Sequence, residues 1–256
     1  MVALYFALLT ISLCQADEPH RIVGGVDTAI KLHPWQVSLQ RFGVHFCAGC
    51  IYSTSLIITA AHCLIPKYVS PNIMRIRAGS SYRSEGGVLL HMLTFKRHER
   101  FDDTSKINDI GVVRLREHLV FSLTIQPASL ALLTPMTGAK ANVTGWGKTK
   151  FMGMNSERLQ RIETFIVRRA TCASNKYEYG NKIKPSMICA YAKDKDACQG
   201  DSGGPMIIHG VLVGIVSWGQ GCAKPRYPGV YANVAALRIW IYKADSETKF
   251  KQKKSS

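Results

Sequence analysis

The chain has 256 residues, of which 46% are hydrophobic and 20% charged, with 21 glycines and 10 prolines. This composition excludes a mainly disordered or low-complexity protein, and the length allows one or two domains with a self-sufficient core. The formal net charge of +16 favours contact with polyanions, but the basic residues are dispersed and no zinc-finger or RNA-binding motif accompanies them.

The first segment is an apolar stretch that ends near Cys14 and is followed by the small residue Ala16. The pattern predicts a signal peptide over residues 1–16 that is cleaved after Ala16, although it lacks a basic N-terminal region. An uncleaved anchor is the alternative, but about 14 apolar residues is fewer than the roughly 20 that cross a bilayer. We therefore expect a secreted, extracellular protein, without a membrane span, whose cysteines can pair.

The remainder of the chain consists of short β-branched or aromatic segments separated by turn residues. These segments are residues 35–40, 75–78, 110–115, 165–167, 211–216 and 229–234. Short apolar segments at this spacing, separated by turn residues, predict an all-β sandwich or barrel. Near the end, Val234, Leu237, Trp240 and Ile241 lie three or four residues apart and predict one helix. The lysine-rich residues 243–256 predict a basic tail that frays.

Three short segments carry reactive side chains. His62 lies in Thr-Ala-Ala-His-Cys, Asp109 in Asn-Asp-Ile, and Ser202 in Gly-Asp-Ser-Gly-Gly-Pro. Each segment alone is weak evidence, because a histidine beside a cysteine is usually structural, an aspartate at a strand start usually caps a turn, and a serine among glycines usually lies in a loop.

Together the three segments resemble the trypsin-like branch of the chymotrypsin family of serine proteases. The resemblance runs from Ile22 to about Ile241 and includes Ile-Val-Gly-Gly at 22–25, His-Pro-Trp-Gln-Val at 33–37, Gly-Trp-Gly at 145–147, Ser-Trp-Gly at 217–219 and Pro-Gly-Val-Tyr at 228–231. It implies a protease domain over 22–256: two six-stranded antiparallel β-barrels, with the N-terminal barrel at 22–125, the C-terminal barrel and helix at 126–242, and the tail at 243–256. The catalytic groups would lie in the cleft between the barrels.

The chemistry of the three side chains agrees with this resemblance. A serine hydroxyl becomes a good nucleophile when a base takes its proton, and an imidazole, with an ordinary pKa of about 6.5, can do so near neutral pH. His62 would be the base, Ser202 the nucleophile, and Asp109 the carboxylate that fixes the histidine tautomer. The backbone N–H groups of Gly200 and Ser202 would form the oxyanion hole. By resemblance, Ser217 supports Asp109.

The sequence also predicts activation by proteolysis. Cleavage after Arg21 would release residues 17–21 as a propeptide and create a new terminus at Ile22. In the family, this terminus inserts beside the carboxylate that precedes the nucleophile, here Asp201. His45 and Ser38 occupy the positions that hold this carboxylate before cleavage, so the chain would be a zymogen.

Substrate choice depends on the predicted primary pocket. Asp196 lies six residues before Ser202, where the resemblance implies a carboxylate that pairs with a substrate arginine or lysine. A solvated aspartate in a charged run is the alternative. Gly219 and Gly229 would leave the pocket walls open, and Ser217 and Trp218 belong to the same substrate-binding segment.

Two further positions modify this specificity. Ala197 offers no hydroxyl to a lysine ammonium, so we expect arginine to be preferred over lysine. Lys106, three residues before Asp109, occupies a position that is often apolar in the family. We expect it to disfavour a basic residue beside the scissile one.

Seven cysteines remain outside the signal peptide. The resemblance pairs Cys47 with Cys63, Cys172 with Cys189, and Cys198 with Cys222. Cys50 is left over, and a buried inert thiol is favoured over an intermolecular bridge. We expect no metal and no cofactor, because no zinc tetrad remains and the loop at 79–87 carries too few carboxylates for calcium. The sequon at Asn142 lies in a predicted strand, which disfavours glycosylation.

The expected partners are proteins or peptides with arginine or lysine at the cleavage site, together with protein inhibitors. Two other functions stay open at this stage. A catalytically silent binding protein would normally have lost one of the three reactive residues, and none is substituted here. A polyanion-binding protein would use the basic tail, and such binding is compatible with proteolysis.

Overall fold

A computed structural model describes residues 24–148 and 153–253. The predicted signal peptide and propeptide, with Arg21 and Ile22, lie outside the described residues. No helix within the described ranges has the length and apolarity that crossing a bilayer requires.

β-strands are the main regular secondary structure of the described chain. The strands of the first half are β1 (Val26–Asp27), β2 (Gln36–Arg41), β3 (Val44–Ile51), β4 (Leu56–Thr59), β5 (Met74–Ala78), β6 (Val88–Arg97) and β7 (Gly111–Leu115). The strands of the second half are β8 (Ser129–Leu130), β9 (Lys140–Gly145), β10 (Gln160–Val167), β11 (Met187–Tyr191), β12 (Pro205–Ile208), β13 (Val211–Trp218) and β14 (Gly229–Asn233). The α-helices are α1 (Arg169–Cys172) and α2 (Val234–Lys253), and 3-10 turns occur at Ile30–Leu32, Ala61–Leu64, Asn175–Tyr177 and Gly180–Lys182.

The strands close into two six-stranded antiparallel barrels, as the family resemblance implied. The N-terminal barrel has the order β2-β3-β4-β7-β6-β5, and the C-terminal barrel the order β9-β10-β11-β14-β13-β12, closed by the β9–β10 pairing. In β5 the alternate residues Met74, Ile76 and Ala78 point into the core, the period-two pattern of a strand with one buried face. Closure leaves neither barrel with a free sheet edge of its own.

The C-terminal helix differs from the prediction at its far end. We expected a frayed tail from residue 243, but α2 continues to Lys253. Ala244 and Thr248 are buried on the face that packs against the N-terminal barrel, at 0% and 2% exposure. Thr248 also accepts hydrogen bonds from Arg114 of β7. The segment predicted to fray is therefore helical as far as Lys253 and is held by buried contacts at least to Thr248, so composition alone misplaced the end of the helix.

Candidate active site

His62 and Asp109 are joined by two hydrogen bonds across the cleft side of the N-terminal barrel. His62 lies in the 3-10 turn after β4, and Asp109 immediately precedes the buried strand β7. Nδ1 of His62 lies 2.7 Å from Oδ2 of Asp109, and the backbone N–H of His62 donates to Oδ1 at 2.9 Å. Ser217 Oγ donates to Oδ2 at 2.5 Å. The carboxylate of Asp109, 1% exposed, is thus fully hydrogen-bonded and holds the imidazole in one orientation.

Ser202 lies in a loop that spans the two barrels. Its carbonyl accepts a hydrogen bond from Ala48 N of β3 at 2.8 Å, and the next residue, Gly203, donates to Val216 O of β13 at 2.8 Å. Gly203 has φ +79°, and a Cβ there would collide with Thr59, the end of the strand that leads to His62. The glycine therefore permits the close approach of the serine loop to the histidine segment, and Ser202 and His62 line one cavity.

The backbone around Gly200 presents free donors. Gly200 has φ +99°, and its carbonyl accepts a 2.9 Å hydrogen bond from Nε2 of His45. Within the described ranges, the N–H groups of Gly200 and Ser202 have no acceptor. They are therefore available to a substrate oxyanion.

His45 and Ser38 contact each other rather than Asp201. Ser38 Oγ lies 2.8 Å from His45 Nδ1, and burial lowers the pKa of His45 to about 4. The imidazole is therefore neutral near pH 7 and bridges Ser38 to the carbonyl of Gly200.

Asp201 is completely buried beneath this loop. Its Oδ1 accepts from Gly147 N at 2.7 Å and its Oδ2 from Cys198 N at 2.9 Å. No lysine or arginine of residues 24–148 and 153–253 pairs with it, and burial raises its pKa to about 7. A Cβ at Gly145 or Gly147 would overlap the carboxylate, so these glycines make room for it. A buried carboxylate in this state would be stabilised by a cation.

Asp196 forms the floor of a cavity of about 210 Å³ beside Ser202. The cavity is lined by Asp196, Ala197, Cys198, Gln199, Ser202, Val216, Ser217, Trp218, Gly219, Gly221, Cys222, Gly229, Val230 and Tyr231. Asp196 is 6% exposed, so it is not the solvated member of a charged run. Burial raises its pKa to about 7, while the N–H of Ala223 donates to Oδ2 at 3.2 Å. A Cβ at Gly229 would lie 2.8 Å from Oδ1 and narrow the floor.

Lys106 is near the cleft, but its charge is compensated. Its Nζ lies 2.5 Å from Oδ1 of Asp103 and 5.8 Å from the centroid of the Phe101 ring. Its backbone is left-handed, with φ 56°. The ion pair weakens the repulsion that the sequence alone predicted between Lys106 and a basic substrate residue.

Three disulfides are formed: Cys47–Cys63, Cys172–Cys189 and Cys198–Cys222. These are the pairs that the resemblance implied. Cys50 is fully buried, and burial raises the pKa of its thiol, so it is inaccessible to an intermolecular bridge. His62 lies close to Cys47 and Cys63, a grouping with metal-binding proximity, but both sulfurs are consumed by their disulfide and offer no thiolate.

Tyr179 supports the pocket rim, and the sequence analysis did not identify it. Its hydroxyl donates to Pro228 O at 2.8 Å and accepts from Gln220 N at 3.2 Å, so it ties together the two ends of the segment that carries Cys222. Its ring also packs edge-on against Trp218. Because these partners lie 41 and 49 residues away, no local pattern could have found it.

The chain is similar to a protein-family model and to several known proteins. A family model described as Trypsin matches residues 22–241. Trypsin alpha-4 of Lucilia cuprina is 51% identical over 226 residues, which are 88% of this chain and 88% of the relative. Trypsin delta of Drosophila erecta is 54% identical over 223 residues, 86% of this chain and 87% of the relative. Trypsin alpha of Drosophila melanogaster is 52% identical over 223 residues, 86% of each chain.

Proposed function

The chain belongs to the trypsin family of serine endopeptidases, and on this premise we propose that it is a secreted zymogen, activated after Arg21, that hydrolyses peptide bonds following arginine and, less well, lysine. The observation that carries the proposal is the cleft in which the hydrogen-bonded pair His62 and Asp109, Ser202 and the buried Asp196 lie together. Different residues support acylation, substrate specificity and activation.

The acylation step uses Ser202 and His62. The Ser202 hydroxyl attacks the scissile carbonyl while His62 takes its proton, and the N–H groups of Gly200 and Ser202 stabilise the oxyanion of the tetrahedral intermediate. Asp109 stabilises the imidazolium that forms. The imidazolium then gives the proton to the leaving amine as the C–N bond breaks, which leaves an acyl-enzyme. Water, deprotonated by His62, then attacks the ester carbonyl, and the protonated His62 gives that proton to the Ser202 oxygen as the C–O bond breaks and the acid product leaves.

The specificity step uses Asp196. A guanidinium that enters the pocket brings a positive charge to a buried carboxylate and so favours its ionised form, since an opposite charge lowers the pKa that burial raised. Arginine can pair with both carboxylate oxygens through its planar fork, whereas lysine presents a single point charge. This difference supports the proposed order of preference.

The activation step uses Asp201. The carboxylate is buried and lacks a cationic side-chain partner among the described residues. An ammonium group at Ile22, created by cleavage after Arg21, is the complement that such a carboxylate needs. Pairing there would hold the loop that carries Gly200 and Ser202.

The test uses residues 17–256, expressed and then cleaved after Arg21. An irreversible serine-directed phosphonate titrates the active sites. In parallel, kcat/KM is measured on peptides that differ only in arginine, lysine or phenylalanine at the scissile position. We expect one phosphonate per molecule and the order arginine, lysine, phenylalanine. Ser202→Ala is the matched control and should neither react nor cleave. A cleaved wild-type protein that neither reacts nor hydrolyses any peptide would identify a binding protein instead.

A further inference from the structure

A second cavity adjoins the pocket of Asp196. It has a volume of about 480 Å³ and is lined by Thr104, Ser105, Lys106, Asn181, Lys182, Lys184 and Trp218. Trp218 also lines the pocket of Asp196, so the two cavities share a wall. Three of the seven lining residues are lysines, and none is acidic. We call this space the lysine cavity.

Two of the three lysines have uncompensated charges. Lys106 is paired with Asp103, but Lys182 and Lys184 form no ion pair with any residue in the ranges 24–148 and 153–253. Ile183 between them is buried, with 6% exposure, and anchors their segment in the apolar cluster that contains Tyr179 and Met187. The fold therefore fixes the backbone that carries both ammonium groups at this rim.

Nearby carboxylates do not cancel this charge. Asp103 is occupied by Lys106, and Asp102 accepts hydrogen bonds from the N–H and the hydroxyl of Ser105 within its own loop. Neither carboxylate contacts Lys182 or Lys184. The cavity also offers neutral hydrogen-bond donors, namely the hydroxyl of Thr104 and the amide of Asn181.

The position of the cavity indicates which part of a substrate would reach it. His62 gives its proton to the leaving amine, so residues after the scissile bond pass the cavity lined by His62, Phe46 and the Cys47–Cys63 disulfide. Residues before the scissile bond then run on the opposite side, past Trp218. A side chain a few positions before the scissile arginine is thus the one that faces the lysine cavity.

We propose that the lysine cavity binds an acidic side chain located two to four residues before the scissile arginine, so that the preferred substrates are peptides with this acidic-then-basic pattern. The inference rests on the proposed function and deepens it. Lys182 and Lys184 supply the charge, while Trp218 connects the cavity to the primary pocket. An exposed ion pair contributes up to about fivefold, so two ammonium groups predict a gain in kcat/KM of about three- to tenfold for an acidic over a neutral residue.

The experiment uses the activated protein and peptides with a constant scissile arginine. Aspartate, asparagine or lysine is placed at each of the second, third and fourth positions before the arginine, and separately at the second position after it. At low ionic strength we expect the ratio of kcat/KM for aspartate to asparagine to reach about three to ten at one upstream position and to stay near one after the bond. Lysine at the same upstream position should fall below asparagine. Added salt at about 0.5 M should bring the ratio toward one.

Variants separate the lysine cavity from the overall positive charge. The double variant Lys182→Gln/Lys184→Gln should lower the aspartate-to-asparagine ratio to near one. Lys176→Gln is the matched control, because Lys176 is an exposed lysine of the same segment that lies over the Tyr177 ring and does not line the cavity. It should keep the parent ratio. All rates are normalised to the active-site concentration from phosphonate titration, so a misfolded fraction does not affect the values of kcat/KM.

The outcomes distinguish this inference from the proposed function. If the asparagine peptides with arginine are not cleaved at all, the proposed function fails. If they are cleaved but no upstream aspartate raises kcat/KM, only the lysine cavity inference is overturned. An equal gain from aspartate after the bond, or an equal loss of the ratio in Lys176→Gln, would also overturn it by assigning the preference to general charge.

Discussion

The guanidinium of Arg114, which is completely buried in β7, donates to Oδ1 of Asp245 in the C-terminal helix at 2.6 Å. The same guanidinium donates to Ser55 Oγ at 2.8 Å, to Asp245 O at 2.8 Å and to Thr248 Oγ1 at 2.9 Å. The charge is therefore neutralised and its donors are used. This cluster fastens the helix to the barrel that carries His62 and Asp109.

We expect Asp245→Ala to lower the free energy of unfolding by about 3–5 kcal/mol, because it leaves the buried Arg114 without its carboxylate. Urea denaturation monitored by tryptophan fluorescence measures the change. Lys249→Ala is the control, since it removes only the exposed partner of the same carboxylate and should cost about 1 kcal/mol or less. Equal losses of unfolding free energy in the two variants would show that the buried ion pair contributes no more to stability than the exposed one.

The raised pKa of Asp196 predicts pH-dependent binding of cations. Burial raises this pKa from 3.8 to about 7, so below pH 7 the free enzyme holds a proton that an amidinium must displace. Affinity for benzamidine should therefore fall toward tenfold per pH unit below 7 and level off above it. Calorimetry from pH 5 to 8 on His62→Ala, which removes the titration of the imidazole, tests this. A flat profile would contradict it.

The same shift fixes the sign of the stability effect. Because the folded pKa lies above the unfolded value, the stability that Asp196 contributes is fully present below about pH 4 and is lost as the pH rises through about 7. We expect Asp196→Asn to remove this contribution, so that its stability relative to the parent increases between pH 4 and 7. Denaturation midpoints of both proteins across this range measure the difference. A constant difference would refute the assigned shift.

Arg21→Gln should give a secreted, folded protein with activity at least about 10²-fold below that of the cleaved parent. The reason is that no Ile22 ammonium forms to compensate the buried Asp201, and the oxyanion donors are not held in place. Phosphonate titration of the purified variant, with Arg21→Lys as the control that remains cleavable, makes the comparison. Full activity without cleavage would contradict the activation proposal.

Ala197→Ser should narrow the preference for arginine over lysine. Ala197 lines the pocket directly after Asp196, and a hydroxyl there would give a lysine ammonium one more acceptor. A hydrogen bond to a charged group is worth roughly 1.5–3 kcal/mol, so we expect a parent ratio of about ten- to a hundredfold in kcat/KM and a smaller one in the variant. Matched peptides that differ only in arginine or lysine measure both ratios. An unchanged ratio would exclude Ala197 as its source.

The lysines near the C-terminus predict retention on heparin. Replacing Lys251, Lys253 and Lys254 by glutamine should shift elution to lower salt, since each neutralised cation removes a contact with the polyanion. Truncation after Tyr242 is an unsuitable test because it also removes Asp245 and Thr248 and leaves Arg114 unpaired. Elution at unchanged salt would place the basic surface elsewhere.

Short-range patterns predicted part of the fold, and the family resemblance supplied the two-barrel architecture and the candidate site. The six segments predicted as strands coincide with β2, β5, β7, the end of β10, β13 and β14, whereas the other strands were not predicted. His62, Asp109 and Ser202 were singled out because their three segments together resemble one family. The far end of α2 was misplaced for a specific reason. Leu237, Ile241, Ala244 and Thr248 continue the helical spacing, but a small residue and a hydroxyl carry the pattern beyond Ile241 and the surrounding lysines obscure it.

Other features depend on contacts between distant parts of the chain, which local reasoning cannot detect. Lys182 and Lys184 lie far from Lys106 in the sequence and line one cavity only in the folded protein. Arg114 interrupts an apolar strand without any nearby clue to its partners. In both cases the fold brings together residues that are distant in the sequence, so a short stretch of sequence does not reveal their contacts.

The link between β7 and α2 has a consequence for biosynthesis. Arg114 and Asp245 are 131 positions apart, so the ribosome delivers the buried cation long before its counter-ion. Until the helix emerges, the nascent N-terminal barrel must either keep the guanidinium hydrated or remain open around it. The buried cluster around Arg114 can therefore form only after Asp245 has been synthesised, and a polypeptide that is terminated before Asp245 would lack it.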